Sequence, residues 1–143
     1  MTDFTGKTAA VTGSSGIGLG AALHLARSGA RVFLAGIDAG LNNEAAALAA
    51  GEGLDMTLHQ VDVADEDSVR SWAGQIAGET DVLHALVNAA GQQTYGTVED
   101  TGPADWDHSI AVNLRSCYLT SHVLYPLLKA CLLYTSPSPR DRL

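Results

Sequence analysis

The residues of this 143-residue chain that could do chemistry come in short groups, each just after a stretch of apolar sequence. The first is Thr12-Gly13-Ser14-Ser15-Gly16-Ile17-Gly18. Glycines permit a tight turn and let a backbone approach a pyrophosphate, and a helix that follows offers free N–H groups to the phosphate charge. Asp38 stands about 20 residues further on, where an acid can accept from a ribose hydroxyl. Asp62-Val63 and then Asn88-Ala89-Ala90-Gly91 follow, and Asn113 comes last. A glycine-rich loop alone would also fit a plain turn, and a lone acid beyond a strand commonly caps a helix. The force of the pattern is that the groups recur at the ends of successive strands. No Gly-Lys-Ser/Thr follows the glycines, which argues against a P-loop.

Such groups act together only if the fold brings successive strand ends to one edge. The sequence supplies that scaffold. Thr8–Val11, Arg31–Ala35, Met56–Val61 and Val82–Val87 are short apolar runs of the kind that form buried parallel strands. Between them, Ile17–Ser28 and Leu41–Ala50 are rich in Ala and Leu. Asp65 is placed to cap a third helix, with Glu66 and Asp67 at its positive end. Val69, Trp72, Ala73 and Ile76 follow the spacing of a buried stripe. Residues 88–102 read as a polar loop, and one long helix is predicted from Pro103 to about Lys129, with Trp106, Ile110, Asn113, Leu114 and Cys117 on one face. An amide on an apolar face needs partners, so Asn113 is expected to have them. Four βα units in succession predict an α/β fold: a Rossmann-type, doubly wound parallel sheet that ends after the fourth unit. Ligands bind such sheets at the carboxyl ends of the strands.

Composition narrows the function. The net charge of -8 disfavours nucleic acid and anionic membrane as partners. No apolar run reaches a membrane span and no leader is evident, so a cytoplasmic protein is expected. Cys117 and Cys131 are too few and too far apart for a disulfide framework, and no metal site is expected.

The motifs together resemble the short-chain dehydrogenase/reductase family over about residues 5–130, roughly the first half of a typical member. Thr12–Gly18 is similar to the family's Thr-Gly-x-x-x-Gly-Ile-Gly loop, Asp62-Val63 to its adenine-contacting Asp-Val, and Asn88–Gly91 to its Asn-Asn-Ala-Gly with Ala89 in place of the second Asn. Asn113 in Ala-Val-Asn-Leu resembles the fourth-helix Asn, whose backbone in the family holds a water that extends the proton relay from a catalytic Lys. The resemblance implies an oxidoreductase that moves a hydride between a nicotinamide cofactor and an alcohol or carbonyl substrate, and a parent protein that is a homo-oligomer. It implies cofactor contacts from Gly13, Ser14, Ser15, Gly16, Ile17, Gly18, Asp38, Asp62, Val63, Asn88, Ala89, Ala90 and Gly91, and a catalytic role for Asn113.

Three features depart from the family pattern. The glycine loop has two residues, Ser14 and Ser15, where the family has three. Gly36 stands where NAD-preferring members often carry Asp, and the acid comes two residues later at Asp38, with no nearby cation for a 2′-phosphate. NAD is therefore the expected cofactor and NADP the alternative. The family's catalytic Ser and Tyr-x-x-x-Lys lie beyond a fifth strand that this sequence lacks. Tyr125-Pro-Leu-Leu-Lys129 has the spacing, but it continues the fourth helix only about three turns past Asn113, so it is not read as the catalytic pair. The chain as written is expected to lack turnover. Its domain is read as residues 1–130, and residues 131–143 as a translated sequencing-adapter tail. A non-catalytic dinucleotide sensor and an S-adenosylmethionine-dependent methyltransferase are the competing functions.

Overall fold

The computed structural model describes residues 3–131. Four parallel strands, β1 (Thr8–Thr12), β2 (Arg31–Gly36), β3 (Met56–Gln60) and β4 (Ala85–Asn88), form one sheet in the order β3-β2-β1-β4. β1 lies beside both β2 and β4, with Val11 opposite Leu34 on one side and Val87 on the other. The chain thus winds outward from β1 in one direction and returns to its other side. That reversal makes a crevice at the carboxyl ends of β1 and β4.

Alternation along the strands builds two cores. Val11, Val32 and Leu34 point to one face, beneath α1 (Gly16–Arg27) and α2 (Ala39–Gly51). Ala22, Ala26 and Ala45 line the undersides of those helices, so the helices approach the sheet closely. Ala10, Phe33 and Ala35 point to the opposite face, where Val69, Trp72, Ala73 and Ile76 of α3 (Glu66–Ala77) cover them. The predicted stripe of α3 is therefore buried. Asp65 caps α3 as expected, accepting from the amides of Asp67 and Ser68.

Two expectations change. The fourth strand begins at Ala85, not Val82: Leu83 N–H donates to Leu127 O of α5 and not to β1, and the first amide to reach β1 is that of His84, which donates to Thr8 O. The long helix is not one helix. α4 (Pro103–Ile110) passes through a π turn at Ala111–Arg115 into α5 (Ser116–Cys131). The face expected to carry the apolar stripe is open: Trp106 is 62% exposed and Leu114 64%. The core instead takes Leu119, Thr120 and Leu124 of α5. Cys131 closes α5, and the rest of the segment read as a tail, residues 132–143, lies outside the described residues.

Candidate functional site

The crevice holds a cavity of about 380 Å³. Every strand end contributes to its wall. Gly13, Ser14 and Ser15 come from the loop after β1, Gly36, Ile37 and Asp38 from β2, Val61, Asp62 and Val63 from β3, and Ala90, Gly91 and Gln92 from β4. Leu41 of α2, His108 of α4 and Val112 of the π turn complete it.

The glycine loop is shaped by sterics. Gly13 has φ +97°, and a Cβ there would meet Ala89 O at 3.1 Å. Gly18 lets α1 start directly against β1, since a Cβ would lie 2.7 Å from Thr12 O. Ser15 is the N-cap of α1 but its side chain bonds no amide, and the first turn carries no acid. The first turn thus keeps free N–H groups at the positive end of a 12-residue helix. Of the glycine-loop residues, Gly13, Ser14 and Ser15 face the cavity. Gly16, Ile17 and Gly18 do not, and act through the course of the helix.

Thr12 links this loop to the one after β4. Its buried Oγ1 accepts from the amides of Ala89 and Ala90, each at 3.1 Å, which ties the two loops together. Asn88, at the end of β4, does not face the cavity. Its Oδ1 accepts from Thr120 Oγ1 at 2.6 Å and its Nδ2 donates to Ser121 Oγ, which ties β4 to α5. Ala90 and Gly91 beyond it reach the wall, while Ala89 does not.

The acids have structural as well as open valences. Asp38 caps α2, with Oδ1 accepting from Leu41 N–H at 2.9 Å, and is otherwise exposed on the cavity rim. Asp62 turns its loop by accepting from Ala64 N–H at 2.9 Å, and Val63 is buried beneath it. Among the described residues, no Lys or Arg lines the cavity.

Asn113 sits in the π turn and does not touch the cavity. Its Oδ1 accepts from Gln92 N–H at 3.0 Å and its Nδ2 donates to Gln92 O at 2.8 Å and Ser109 O at 2.9 Å. The carboxamide thus reads both backbone groups of Gln92 and fixes the residue that does line the cavity. His108 Nε2 lies 2.8 Å from Gln92 Oε1 on the same side. Arg115 donates to Ala64 O at 3.2 Å, drawing the π turn onto the loop after β3. Tyr125 and Lys129 lie on α5 and neither lines the cavity. Sequence reasoning missed His108, Val112, Leu41 and the Thr12 clamp. The i, i+4 pair His108 and Val112 was the available signal for the first two.

A family model described as Enoyl-(Acyl carrier protein) reductase matches residues 11–131. D-beta-hydroxybutyrate dehydrogenase of Cupriavidus necator is 38% identical over 128 residues, covering 87% of this chain and 48% of the relative. D-threitol dehydrogenase of Mycolicibacterium smegmatis is 42% identical over 119 residues, covering 80% and 44%. Among solved structures, a Pseudomonas aeruginosa RhlG/NADP active-site complex superposes with TM-score 0.85 at 29% identity, covering 94% of this chain and 53% of that one. A short-chain dehydrogenase/reductase from Serratia marcescens gives TM-score 0.82 at 29% identity, covering 89% and 53%. The chain spans about half the length of the curated relatives it matches.

Proposed function

The chain belongs to the short-chain dehydrogenase/reductase family, and on that footing we propose that it is the dinucleotide-binding part of an NAD-dependent oxidoreductase acting on an alcohol or carbonyl substrate. The observation that carries this reading is the cavity itself. It lies across the carboxyl ends of all four parallel strands, with a helix N-terminus free of acid on one side and Asp38 on the rim. The fit to a dinucleotide is favourable: free amides of α1 face the place for a pyrophosphate, and glycine at position 13, at φ +97°, lets the loop turn beneath it against Ala89. The nicotinamide, when bound, supplies or takes up the hydride. The chain's own residues bind and orient.

In this reading Ser14, Ser15 and the α1 amides hold the pyrophosphate, Asp38 accepts from the adenosine ribose hydroxyls, and Asp62-Val63 meet the adenine. Ala90 and Gly91 form the far wall. Asn113 positions Gln92 through its side chain, and its backbone is the element of a proton relay. Among the described residues the cavity wall carries two acids and no Lys or Arg, which favours NAD over the 2′-phosphorylated form. The sequence supplies neither the family's Ser nor its Tyr-x-x-x-Lys in position, so the 143-residue chain binds nucleotide without turning it over. The proposed cofactor-binding domain is residues 1–130 and the proposed adapter-encoded tail is residues 131–143, of which Cys131 still continues α5.

Titration of the purified chain with NAD, NADP and S-adenosylmethionine tests this. Saturable NAD binding at least tenfold tighter than NADP, and none of S-adenosylmethionine, is the expected result. Preference for S-adenosylmethionine, or NAD-dependent alcohol oxidation above background, overturns the corresponding part. Among the described residues no helix is long and apolar enough to cross a membrane, in keeping with a cytoplasmic location as part of the proposal. Trp106, Leu114, Tyr118 and Tyr125 stand exposed along α4, the π turn and α5, and on that basis we propose that the parent protein is a homo-oligomer. A monomer by light scattering refutes it.

A further inference from the structure

A second cavity, of about 290 Å³, lies at the opposite edge of the sheet, where β1 and β4 begin. Phe4, Leu25, Ala30 and Ala85 make much of its wall apolar. Lys7 and His84 bring nitrogens to it, and Asp3 stands with them. The dinucleotide reading uses none of these residues.

Backbone bonds hold both nitrogen-bearing residues in place. Lys7 N–H donates to Phe4 O and Lys7 O accepts from Arg31 N–H, each at 2.9 Å. His84 is bound to Thr8 twice: its N–H donates to Thr8 O at 2.9 Å, and its Nδ1 accepts from Thr8 N–H at 3.0 Å. The Thr8 hydroxyl donates to Val82 O. With Nδ1 an acceptor, the neutral ring carries its hydrogen on Nε2. That atom has no hydrogen-bond partner among the described residues. Burial, and then the charge of Lys7, hold the His84 pKa below its ordinary value, so at neutral pH the ring is a neutral donor beside an ammonium. Lys7 is exposed and forms no ion pair among the described residues. Asp3 turns Oδ1 to its own loop, accepting from Thr5 N–H at 2.8 Å.

We propose that this cavity is a binding site for a small carboxylate with a short apolar tail, its two oxygens met by the Lys7 ammonium and the His84 Nε2–H and its tail by Phe4 and Leu25. One charge and one N–H match the two oxygens of a carboxylate. A phosphate would leave strong acceptor oxygens unmet against an apolar wall. The site goes beyond the dinucleotide reading and does not depend on it.

Pentanoate is the probe, compared with pentanamide (tail without charge), acetate (charge without a long tail) and inorganic phosphate. Binding is followed by the NMR shifts of the Thr8, His84 and Ala85 amides in the 143-residue chain. Saturable pentanoate binding in the millimolar range is expected, with each of the other three at least about fivefold weaker. Lys7→Met keeps an apolar stem at an exposed position and should weaken pentanoate about tenfold, the worth of one charge-assisted hydrogen bond. Asp3→Asn removes an acid from the wall and should strengthen it. Bound pentanoate should also raise the titration of His84, read from its ring protons; the titratable groups that share the cavity with it are Asp3, Lys7 and Cys131. No saturable shift at the three amides, an equal response to pentanamide, or full binding by Lys7→Met overturns the proposal. So does competition between pentanoate and NAD, which would put pentanoate in the crevice. A chain that binds pentanoate and no NAD overturns the dinucleotide reading alone.

Discussion

Replacing Thr12 by Val exchanges a hydroxyl for a methyl of the same shape at the end of β1. Thr12 is 2% exposed, and its Oγ1 is the acceptor for two amides, Ala89 and Ala90. Val suits a buried strand and adds apolar surface. If burial alone decided, Thr12→Val would be neutral or stabilising. The structure says otherwise, because two N–H groups lose the acceptor they have among the described residues. Both alanines are half-buried, so water can replace part of the loss. At about 1 kcal/mol per amide, the low end of the cost of an orphaned donor, the change destabilises by about 2 kcal/mol. Thr12→Ser keeps the acceptor and loses one buried methyl, at about 0.8 kcal/mol. The expected order is wild type, then Ser, then Val. Urea unfolding followed by circular dichroism, at one fixed chain concentration, measures it. Amide exchange at Ala89 and Ala90 should accelerate roughly thirtyfold in the Val variant, the equivalent of that energy. A Val variant more stable than the Ser variant refutes the clamp.

Three other outcomes can be checked alongside. Gly18→Ala forces a Cβ to within 2.7 Å of Thr12 O, and should cost about 2 kcal/mol and at least tenfold in NAD affinity. Gly20→Ala, two residues on with nothing within 4 Å, should gain up to about 1 kcal/mol by helix propensity, and equal effects at both sites would remove the close-approach argument. His84 Nδ1 accepts from Thr8 N–H at 3.0 Å, and burial, then Lys7, lowers its pKa from the model-peptide value of 6.5. The neutral form is thus favoured by folding: its contribution is full above pH 6.5 and is lost as pH falls through the depressed value, so stability should drop on acidification and His84→Gln should flatten that drop. Asn113→Leu removes both bonds to Gln92, and limited proteolysis should then cut within residues 92–98 faster, with cleavage elsewhere unchanged.

Much of this was legible in the sequence because the signals were local. The strand–glycine–helix succession, the Asp65 cap and the α3 stripe each depend on residues within a turn or two of one another, and each folds as its pattern dictates. What was not legible depends on partners distant in sequence. Asn88 had the motif position of a cavity residue, yet its carboxamide is claimed by Thr120, 32 residues away. Val82 and Leu83 had strand character, but the amide of Leu83 is taken by Leu127. The apolar spacing of Trp106, Ile110 and Leu114 was real, but spacing shows only that a face is apolar, not what it faces. Asp38 had two readings, helix cap and ribose acceptor, and its capping bond leaves Oδ2 for the second.

The π turn at Ala111–Arg115 has a bearing on which genetic changes this site can survive. A π turn is an α-helix carrying one surplus residue, and that surplus sets the phase between the segments on either side. Here it lets His108 and Val112 look into the cavity while Leu119 and Leu124 look into the core. Deleting any one residue of the turn would let the helix heal to a regular α pitch. The upstream segment would then rotate by about 100° against the downstream one. Substitutions along this rod alter one contact each. A single-codon deletion would leave every other side chain intact and still swing one wall of the cavity out of place, so length here should be held more strictly than composition.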